Sequence, residues 1–313
     1  MERSGEIGIA RPDVRRGWQD EAMPEMPEVQ GLVDFLAERA VGLTITRASV
    51  SAIAALKTFD PPVTAVAGST VAGSRRHGKF VDLTLRSDAE PRLHLVFHLA
   101  KAGWLRWYDT LPTTLIRPGK SPIALRIAFD DGSGFDLTEA GTKKSLAVYV
   151  VRDPADVPGI ARLGPNPLDP AFTQQAFAAL LAGRRTQIKG LLRDQAVIGG
   201  IGNAYSDEIL HAARMSPYAP ASGLDDAEVA RLYDAMQSTL REAVAAASGK
   251  PPADLKDAKR RGMQVHARRG EPCPVCGDTV RSVFFADRSL EYCPTCQTGG
   301  KVLADRRLSR LLK

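Results

Sequence analysis

The 313-residue sequence has few of the side chains that usually build disulfide-rich, metal-rich or membrane-spanning proteins. It contains four cysteines, five histidines and 6% aromatic residues. The histidines show no ligand spacing, and we assign them structural or phosphate-facing roles. No apolar run approaches the roughly 20 residues of a membrane-spanning helix, and no secretory signal is visible. We therefore expect a cytoplasmic protein whose thiols stay reduced and which has no membrane partner.

What the sequence does contain is enough apolar material for packed cores, together with an uneven distribution of charge. Hydrophobic residues make up 44% of the chain, and its length favours two domains. Residues 256–313 hold 13 Lys/Arg and 6 Asp/Glu, whereas residues 1–255 hold 29 and 30. The excess positive charge therefore lies at the C-terminal end, where it suits a polyanion such as DNA. A solvated basic tail is the alternative interpretation.

The four cysteines form two Cys-x-x-Cys pairs, separated by sixteen residues that are long enough for a β-hairpin. This spacing is typical of a zinc ribbon. It predicts one structural Zn²⁺ bound by Cys273, Cys276, Cys293 and Cys296. Four thiolates leave no open position for water, so the metal is not expected to catalyse a reaction. Two disulfides are the alternative, which a reducing compartment disfavours.

The most informative residues lie near the N-terminus, in the run Met-Pro-Glu-Met-Pro-Glu-Val at 23–29. A protein translated from Met23 would begin with Pro24 once the methionine is removed, and a free N-terminal proline is a secondary amine. Amines attack sugar and carbonyl carbons to form Schiff bases, and Glu25 could move protons beside that nitrogen. Residues 1–22 lack periodicity, and we expect an unstructured extension that is absent from the mature protein. The alternative is a Pro/Glu-rich helix cap.

The remaining pattern predicts an α+β protein. Apolar residues at helical spacing predict an amphipathic helix that begins near Pro27 and ends near Gly42. Short β-like runs at 81–85, 93–99, 124–129 and 146–151 predict a β-sandwich or flattened barrel. Helices are predicted at 172–181, at 188–192 and around 229–244. The expected divisions are a catalytic β-domain at 23–152, a linker at 153–170, a helical DNA-binding domain at 171–255, and a zinc finger with a basic tail at 256–313.

A glycine-rich segment, Gly-Gly-Ile-Gly-Asn-Ala-Tyr-Ser-Asp-Glu at 199–208, lies between two predicted helices. Three glycines in four residues permit tight turns and a close approach of the backbone. Asn203 stands at the predicted N-cap of the following helix, whose free N–H groups form an anion site that suits a DNA phosphate. A plain helix–helix turn is the alternative.

Four separate motifs resemble the formamidopyrimidine-DNA glycosylase/endonuclease VIII (Fpg/Nei) family. The run from Met23 is similar to its N-terminal signature, and residues 199–208 are similar to its helix–two-turn–helix motif. The other matches are Arg-Arg-His-Gly-Lys-Phe at 75–80, which resembles a strand-entry motif, and residues 265–273 and 288–293, which resemble the family zinc finger. The resemblance extends from Met23 to about Gln297.

The resemblance implies roles for individual residues. Pro24 becomes the nucleophile and Glu25 the partnering acid. Lys79, Asn203 and Arg288 become DNA phosphate ligands, and Lys79 and Arg288 complete the expected catalytic set. The implied protein is a monomeric DNA glycosylase and AP lyase of base excision repair. It removes oxidised bases from double-stranded DNA through a Schiff base, and cuts abasic sites by β,δ-elimination.

The sequence departs from the family pattern where the family probes the duplex. Lys101 occupies the place of a base-stack-filling methionine, and Lys143 lies in the region where an Arg-Phe pair is usual. Lysines cannot fill a vacated base position as apolar wedges do, so we expect both to contact DNA phosphates. Residues 250–262, in place of a lesion-reading loop, are also unusually basic. These departures leave open a second hypothesis, a zinc protein of reduced catalytic activity that binds abasic or unusual DNA structures.

Overall fold

The computed structural model describes residues 23–87, 92–114, 116–117, 119, 121–140, 144–285 and 289–304. The strands are β1 (Ile45–Val50), β2 (Thr70–His77), β3 (Phe80–Arg86), β4 (Leu93–His98), β5 (Gly103–Tyr108), β6 (Ile123–Phe129), β7 (Gly134–Glu139), β8 (Ala147–Val151), β9 (Arg281–Phe284) and β10 (Ser289–Tyr292). The helices are α1 (Met26–Ala40), α2 (Pro158–Ala161), α3 (Gln174–Leu181), α4 (Ile188–Arg193), α5 (Asn203–Ala212), α6 (Asp226–Ala247), α7 (Pro252–Gly262) and α8 (Pro294–Thr298). This order confirms the predicted α+β class.

Helix α1 begins where the sequence places a start signal. Glu28 accepts a hydrogen bond from the backbone N–H of Glu25 at 2.8 Å, which is half of a capping box. Pro27 lies in the first turn, where a missing N–H costs nothing. The helix ends before Gly42, whose φ of +91° breaks the helical path. Local signals therefore fix where α1 starts, and this places residues 24 and 25 directly before its first turn.

Strands β1–β8 form two antiparallel four-stranded sheets, in the orders β1-β6-β7-β5 and β2-β3-β4-β8. In the second sheet Leu83 pairs with Leu95, so apolar side chains point to one face. They share a core with Ile127 and Leu137 of the first sheet. The predicted β-sandwich is confirmed, and its core lies between the sheets.

The sequence pattern missed four strands, β1, β2, β5 and β7. In β7 the reason is a buried charge, because Asp136 is fully buried yet polar. Arg126 of the neighbouring β6 donates to its two carboxylate oxygens at 2.7 and 2.8 Å. A hydrophobicity pattern counts such a pair as solvent-facing, although the pair lies inside the sheet.

A second core lies among the helices, and α1 takes part in both cores. Met26 packs with Phe177, Ile209 and Leu232 in the helical core, whereas the following turns of α1 pack in the β core. The predicted helices at 172–181, 188–192 and 229–244 correspond to α3, α4 and α6. The expected linker at 153–170 contains the short helix α2. Because α1 joins the two cores, its N-terminus faces the helical half.

Residues 250–262, interpreted above as a basic loop, form helix α7 instead. Two prolines open it, at positions where proline is compatible with a helix start. Leu255 is buried in the β core, and Trp104 of β5 donates to the carbonyl of Pro252 at 3.0 Å. The close approach of α7 to α1 requires glycine at Gly31, where a Cβ would lie 2.8 Å from Leu255. Three of the basic residues of α7, Lys256, Arg260 and Arg261, are therefore exposed on a docked helix, whereas Lys259 is buried.

The C-terminal part consists of the hairpin β9–β10 and α8, with a small core around Val265 and Val280. Among the described residues, no helix has both the length and the hydropathy that are needed to cross a membrane.

Candidate active site

Pro24 and Glu25 are both buried at the point where α1 meets the start of α5. The Glu25 carboxylate accepts hydrogen bonds from backbone N–H groups of Gly202, Ala204 (2.8 Å) and Tyr205 (3.4 Å). These are N–H groups that the first turn of a helix leaves without internal partners. Glu25 is therefore held as an anion at the positive end of α5.

This arrangement corrects the interpretation of the glycine-rich segment. The N-cap of α5 is Gly202 and not Asn203, which is the first helical residue. The anion at the start of α5 is the Glu25 carboxylate, so these N–H groups are not offered to a phosphate. The side chain of Asn203 points to the zinc hairpin, where its Nδ2 donates to the carbonyl of Ser289 at 2.8 Å. Its buried Oδ1 has no hydrogen-bond partner among the described residues.

Lys79 comes to the same place from the β-sandwich. It lies in the turn between β2 and β3 and is 8% exposed. A Cβ on Gly202 would lie 2.4 Å from Glu25 Cδ and 2.6 Å from Lys79 Nζ. A larger residue there would displace at least one of the two charged groups. The structure thus brings Pro24, Glu25 and Lys79 together.

A second lysine, which the sequence did not single out, completes the cluster. Lys259 of α7 donates to Glu28 Oε2 at 2.9 Å and lies 3.8 Å from Glu25 Oε1. It also donates to the main-chain carbonyl of Met23 at 3.2 Å. Its Nζ lies 5.0 Å from the ring centroid of Tyr205, whose hydroxyl donates to Glu28 at 2.6 Å. Lys259 follows Leu255 by one helical turn, and a lysine on the apolar stripe of a helix was the available signal.

The charges in the cluster shift one another's ionisation. Burial alone would raise the pKa of Glu25, but Lys259, Lys79 and the N–H of Ala204 outweigh it and lower that pKa. Burial lowers the pKa of Lys79 to about 8, and Lys259 adds to this effect while Glu25 opposes it. Burial also acts to lower the pKa of Lys259, but Glu28 and Glu25 overcome it and raise that pKa. At neutral pH the site therefore holds carboxylates together with ammonium groups.

A cavity of about 380 Å³ opens beside Lys79. Its walls include Phe80, His98 and Leu163. Burial, followed by the charge of Lys79, lowers the pKa of His98 to about 4, so the imidazole is neutral at neutral pH. The cavity thus combines apolar walls with a neutral imidazole and with charged side chains, namely Lys79, Arg162 and Asp194.

Three family models match this chain. They describe the formamidopyrimidine-DNA glycosylase N-terminal domain (residues 23–144), the formamidopyrimidine-DNA glycosylase H2TH domain (163–251) and a zinc finger found in FPG and IleRS (270–299). A formamidopyrimidine-DNA glycosylase of Symbiobacterium thermophilum is 35% identical over 297 residues, which are 91% of this chain and 93% of that protein. The chain belongs to the formamidopyrimidine-DNA glycosylase family.

Two further comparisons bear on this membership. An uncharacterized formamidopyrimidine-DNA glycosylase-like protein of Mycobacterium tuberculosis is 57% identical over 159 residues, which are 51% of this chain and 99% of that protein. The crystal structure of Lactococcus lactis Fpg (MutM) with DNA containing N7-benzyl-Fapy-dG has a TM-score of 0.76, at 24% identity. It covers 88% of this chain and 100% of its own. The structural likeness shows a shared fold.

The other residues expected at the site either lie away from the cluster of Glu25, Lys79 and Lys259 or fall outside the described residues. Lys101 is exposed in the turn after β4, where Ala100 takes a φ of +54°. Lys143 and Arg288 lie outside the described residues. Ser289, the neighbour of Arg288, accepts the hydrogen bond from Asn203, so the described end of β10 lies against the start of α5.

The four cysteines lie together and are free of disulfides. Their sulfur atoms are all within 4.8 Å of one another. Cys273 and Cys296 are 3.9 Å apart and Cys276 and Cys293 are 3.3 Å apart, whereas a disulfide needs about 2.05 Å. A tetrahedral zinc with bonds of about 2.3 Å places its sulfurs about 3.8 Å apart. The donor set therefore fits a zinc ion, in agreement with the zinc-finger model.

A buried ionic cluster joins the zinc hairpin to the helical half. The Nδ1–H of His266 donates to Asp207 at 2.8 Å, and Glu291 of β10 lies 3.0 Å from the same nitrogen. One N–H cannot serve both carboxylates well, so Glu291 Oε2 gains charge attraction without a hydrogen bond. Lys189 donates to Asp207 at 2.6 Å. Two basic and two acidic side chains therefore compensate one another here.

Proposed function

We propose that this protein is a bifunctional DNA glycosylase and AP lyase of base excision repair, with Pro24 as its nucleophile. The observation that carries the proposal is the convergence of Pro24, Glu25 and Lys79 at the junction of α1, α5 and the β2–β3 turn. Relatives named formamidopyrimidine-DNA glycosylase support the glycosylase activity. Structural neighbours that contain Fapy-dG or abasic-site DNA support DNA as the partner.

The proposed reaction begins with attack of the Pro24 nitrogen on C1′ of a damaged nucleotide. Glu25 assists by proton transfer, and the oxidised base leaves. The C1′–O4′ bond then breaks as O4′ takes up a proton, and the nitrogen lone pair forms the iminium. This iminium is cationic and acidifies the adjacent sugar protons, so that successive β- and δ-elimination cut the strand. In the Met23–Pro24 peptide the proline nitrogen is an amide and cannot attack. The chemistry therefore requires a mature chain that begins at Pro24.

Phosphate contacts hold the DNA in this proposal. We assign them to Lys79, Asn203 and Arg288, with further contacts from Lys101 and Lys143. Such contacts fix orientation without reading sequence. Asn203 would use its side-chain amide, since the N–H groups of the α5 start are taken by Glu25. One Zn²⁺ on the four cysteines would fold the hairpin that carries Arg288.

The proposed substrate preference is for abasic DNA over duplex that contains 8-oxoguanine. Extruding an intact base costs a few kcal/mol of unstacking. Apolar side chains that usually fill the vacated space are absent from the expected wedge positions, which hold Lys101 and Lys143. An abasic site needs no extrusion of a base, so it should be spared this cost.

Borohydride trapping tests the proposal. Protein translated from Met23 is incubated with an abasic duplex or an 8-oxoguanine duplex, alongside protein translated from Met1 that keeps its leader. We expect strong trapping on abasic DNA and weak trapping on 8-oxoguanine DNA, with intact mass showing Pro24 as the first residue. Pro24→Gly should diminish both, because a primary amine replaces the proline nitrogen.

The outcomes separate the alternatives. Equal trapping on the two duplexes would mean that the missing wedge residues cost nothing. Strong trapping by protein that retains residues 1–23 would remove Pro24 as nucleophile. Binding to abasic DNA without any trapping would favour the non-catalytic DNA binder, which the altered positions 101 and 143 also suggest.

A further inference from the structure

The hydrogen bond between Lys259 and the Met23 carbonyl marks a position that a reaction intermediate would occupy. The Met23 carbonyl carbon is bonded to the Pro24 nitrogen, and its oxygen lies 3.2 Å from Lys259 Nζ. Met23 is half-buried beside the cluster, and the Lys259 side chain is only 4% exposed. Lys259 therefore faces an oxygen whose carbon is bonded directly to the Pro24 nitrogen.

An abasic sugar that reacts with Pro24 has the same connectivity. In its ring-opened form C1′ is an aldehyde, and attack by the secondary amine gives a carbinolamine, in which C1′ carries both the Pro24 nitrogen and a hydroxyl. C1′ then takes the place of the Met23 carbonyl carbon. The C1′ oxygen takes the place of the Met23 oxygen, within hydrogen-bond reach of Lys259.

We propose that Lys259 is a catalytic proton donor to the C1′ oxygen, an inference that rests on the lyase function proposed above. The Pro24 nitrogen attacks C1′ and the carbonyl electron pair moves to oxygen, which receives the proton lost by the amine. Lys259 then protonates the hydroxyl, the C1′–O bond breaks, and water leaves as the nitrogen lone pair forms the iminium. One proton from the ammonium balances the step, and solvent reprotonates the neutral Lys259.

The surroundings of Lys259 suit a donor. Glu28 and Glu25 lie 2.9 and 3.8 Å from its Nζ, and the Tyr205 ring faces it at 5.0 Å. These groups hold the ammonium charged and within reach of the Met23 oxygen, whereas the other cation of the cluster, Lys79, faces Glu25 across Gly202. The alternative is that Lys259 only holds the two carboxylates in place.

A pair of DNA ligands separates these roles. A true abasic site has the C1′ oxygen, and a tetrahydrofuran analogue has none. In the protein form that traps abasic DNA, we expect Lys259→Met to slow single-turnover borohydride trapping at least 100-fold, the scale of general acid catalysis. The Kd for the tetrahydrofuran duplex should change less than threefold. Arg260→Met removes one exposed charge from the same helix and serves as the matched control, with trapping within threefold of wild type.

Lys259→Arg supplies the decisive comparison, since it keeps the positive charge beside Glu25 and Glu28 but is a poor proton donor. We expect it to trap as slowly as Lys259→Met. If Lys259→Met misfolds, the double variant Glu28→Gln/Lys259→Met is compared with Glu28→Gln alone. The trapping rate of the double variant is again expected to be at least 100-fold lower.

Four results would overturn the inference. They are wild-type-like trapping by Lys259→Arg, an unchanged rate in Lys259→Met, a parallel loss of tetrahydrofuran binding, and a borohydride-reduced adduct on Lys259 itself. A wild-type protein that fails to trap abasic DNA would instead contradict the proposed function.

Discussion

At the scale of single residues, Glu25 is the side chain on which the site depends most. Its carboxylate receives backbone N–H groups of α5 and lies near Lys259 and Lys79. In Glu25→Gln, the side-chain NH₂ group faces the backbone N–H donors of α5. The buried ammonium groups of Lys259 and Lys79 also lose a negatively charged partner. We predict a loss of about 3 kcal/mol in the free energy of unfolding at pH 7, the scale of a broken buried ion pair, together with loss of trapping.

The same residue predicts a pH dependence. Because the pKa of folded Glu25 is lowered, its contribution is present above the unfolded-state pKa and is lost as pH falls through the folded-state pKa. Urea unfolding should therefore show the difference between wild type and Glu25→Gln shrinking in acid. Glu38→Gln, an exposed change in the same helix, is the control and should stay within 0.5 kcal/mol, roughly, of wild type. A constant difference at all pH values would contradict the assignment.

Lys79 predicts how DNA affinity changes in mild alkali. Its pKa of about 8 means that free protein loses this charge as pH rises above 8. A phosphate beside it favours the charged form, so binding above pH 8 must take up a proton. We predict that the Kd for abasic-analogue DNA rises with pH from about 8, by up to tenfold per unit, and that Lys79→Met binds more weakly with a flat profile. Lys57→Met, an exposed control, should keep the wild-type slope.

Residue patterns predicted the candidate site unevenly, and the difference is physical. Pro24 with Glu25 and the cysteine pairs are contiguous in sequence, so their chemistry is visible before folding. Lys259 acquires its role only when α7 docks on α1 and brings it to Glu28. The anion at the start of α5 was likewise assigned to DNA, because nothing local shows that Glu25 fills that position.

At the scale of elements, the charge cluster around His266 links the zinc hairpin to the helices. Its Nδ1 pairs with Asp207 of α5 and Glu291 of β10. Burial alone would lower the pKa of His266, but these two carboxylates raise it to about 10, so the imidazolium persists at neutral pH. The positive charge of His266 therefore holds α5 and β10 together. Both elements are expected to contribute to DNA binding.

His266→Phe should therefore loosen that link. The substitution leaves Asp207 with Lys189 as its remaining cationic partner and removes the cationic partner of Glu291. We therefore predict a loss of about 3 kcal/mol in the free energy of unfolding. DNA affinity should fall as the hairpin moves relative to α5. Calorimetry and fluorescence anisotropy measure the two effects, and Arg261→Met, an exposed change five residues away, is the control. Unchanged stability in His266→Phe would show that the cluster is not a link.

Element prediction failed where tertiary contacts decide. Helix α7 has a strongly basic composition that indicates a solvated segment, yet Leu255 and Lys259 anchor it to two different partners. The strand β7 was missed because its buried Asp136 is compensated by Arg126 on the next strand. Strands β3 and β4 were found because their apolar residues pair on one face, although they also hold a buried polar pair, Asp82 with His94 at 2.8 Å.

At the scale of the whole molecule, the zinc site is separate from both large cores, and this predicts what removal of metal will do. Three of the four cysteines share a small core with Val265 and Val280, whereas Trp104 and Trp107 pack against the β-sandwich. A hairpin with so little core of its own is held folded by its metal.

Chelation should release zinc and abolish DNA binding, because the strand that leads from Arg288 is no longer held against Asn203. Fluorescence of Trp104 and Trp107 should stay native, because the core that they pack against does not include the cysteines. Readdition of zinc after removal of the chelator is the control and should restore binding. Active protein without zinc by elemental analysis, or loss of the native tryptophan signal on chelation, would contradict this division of the fold.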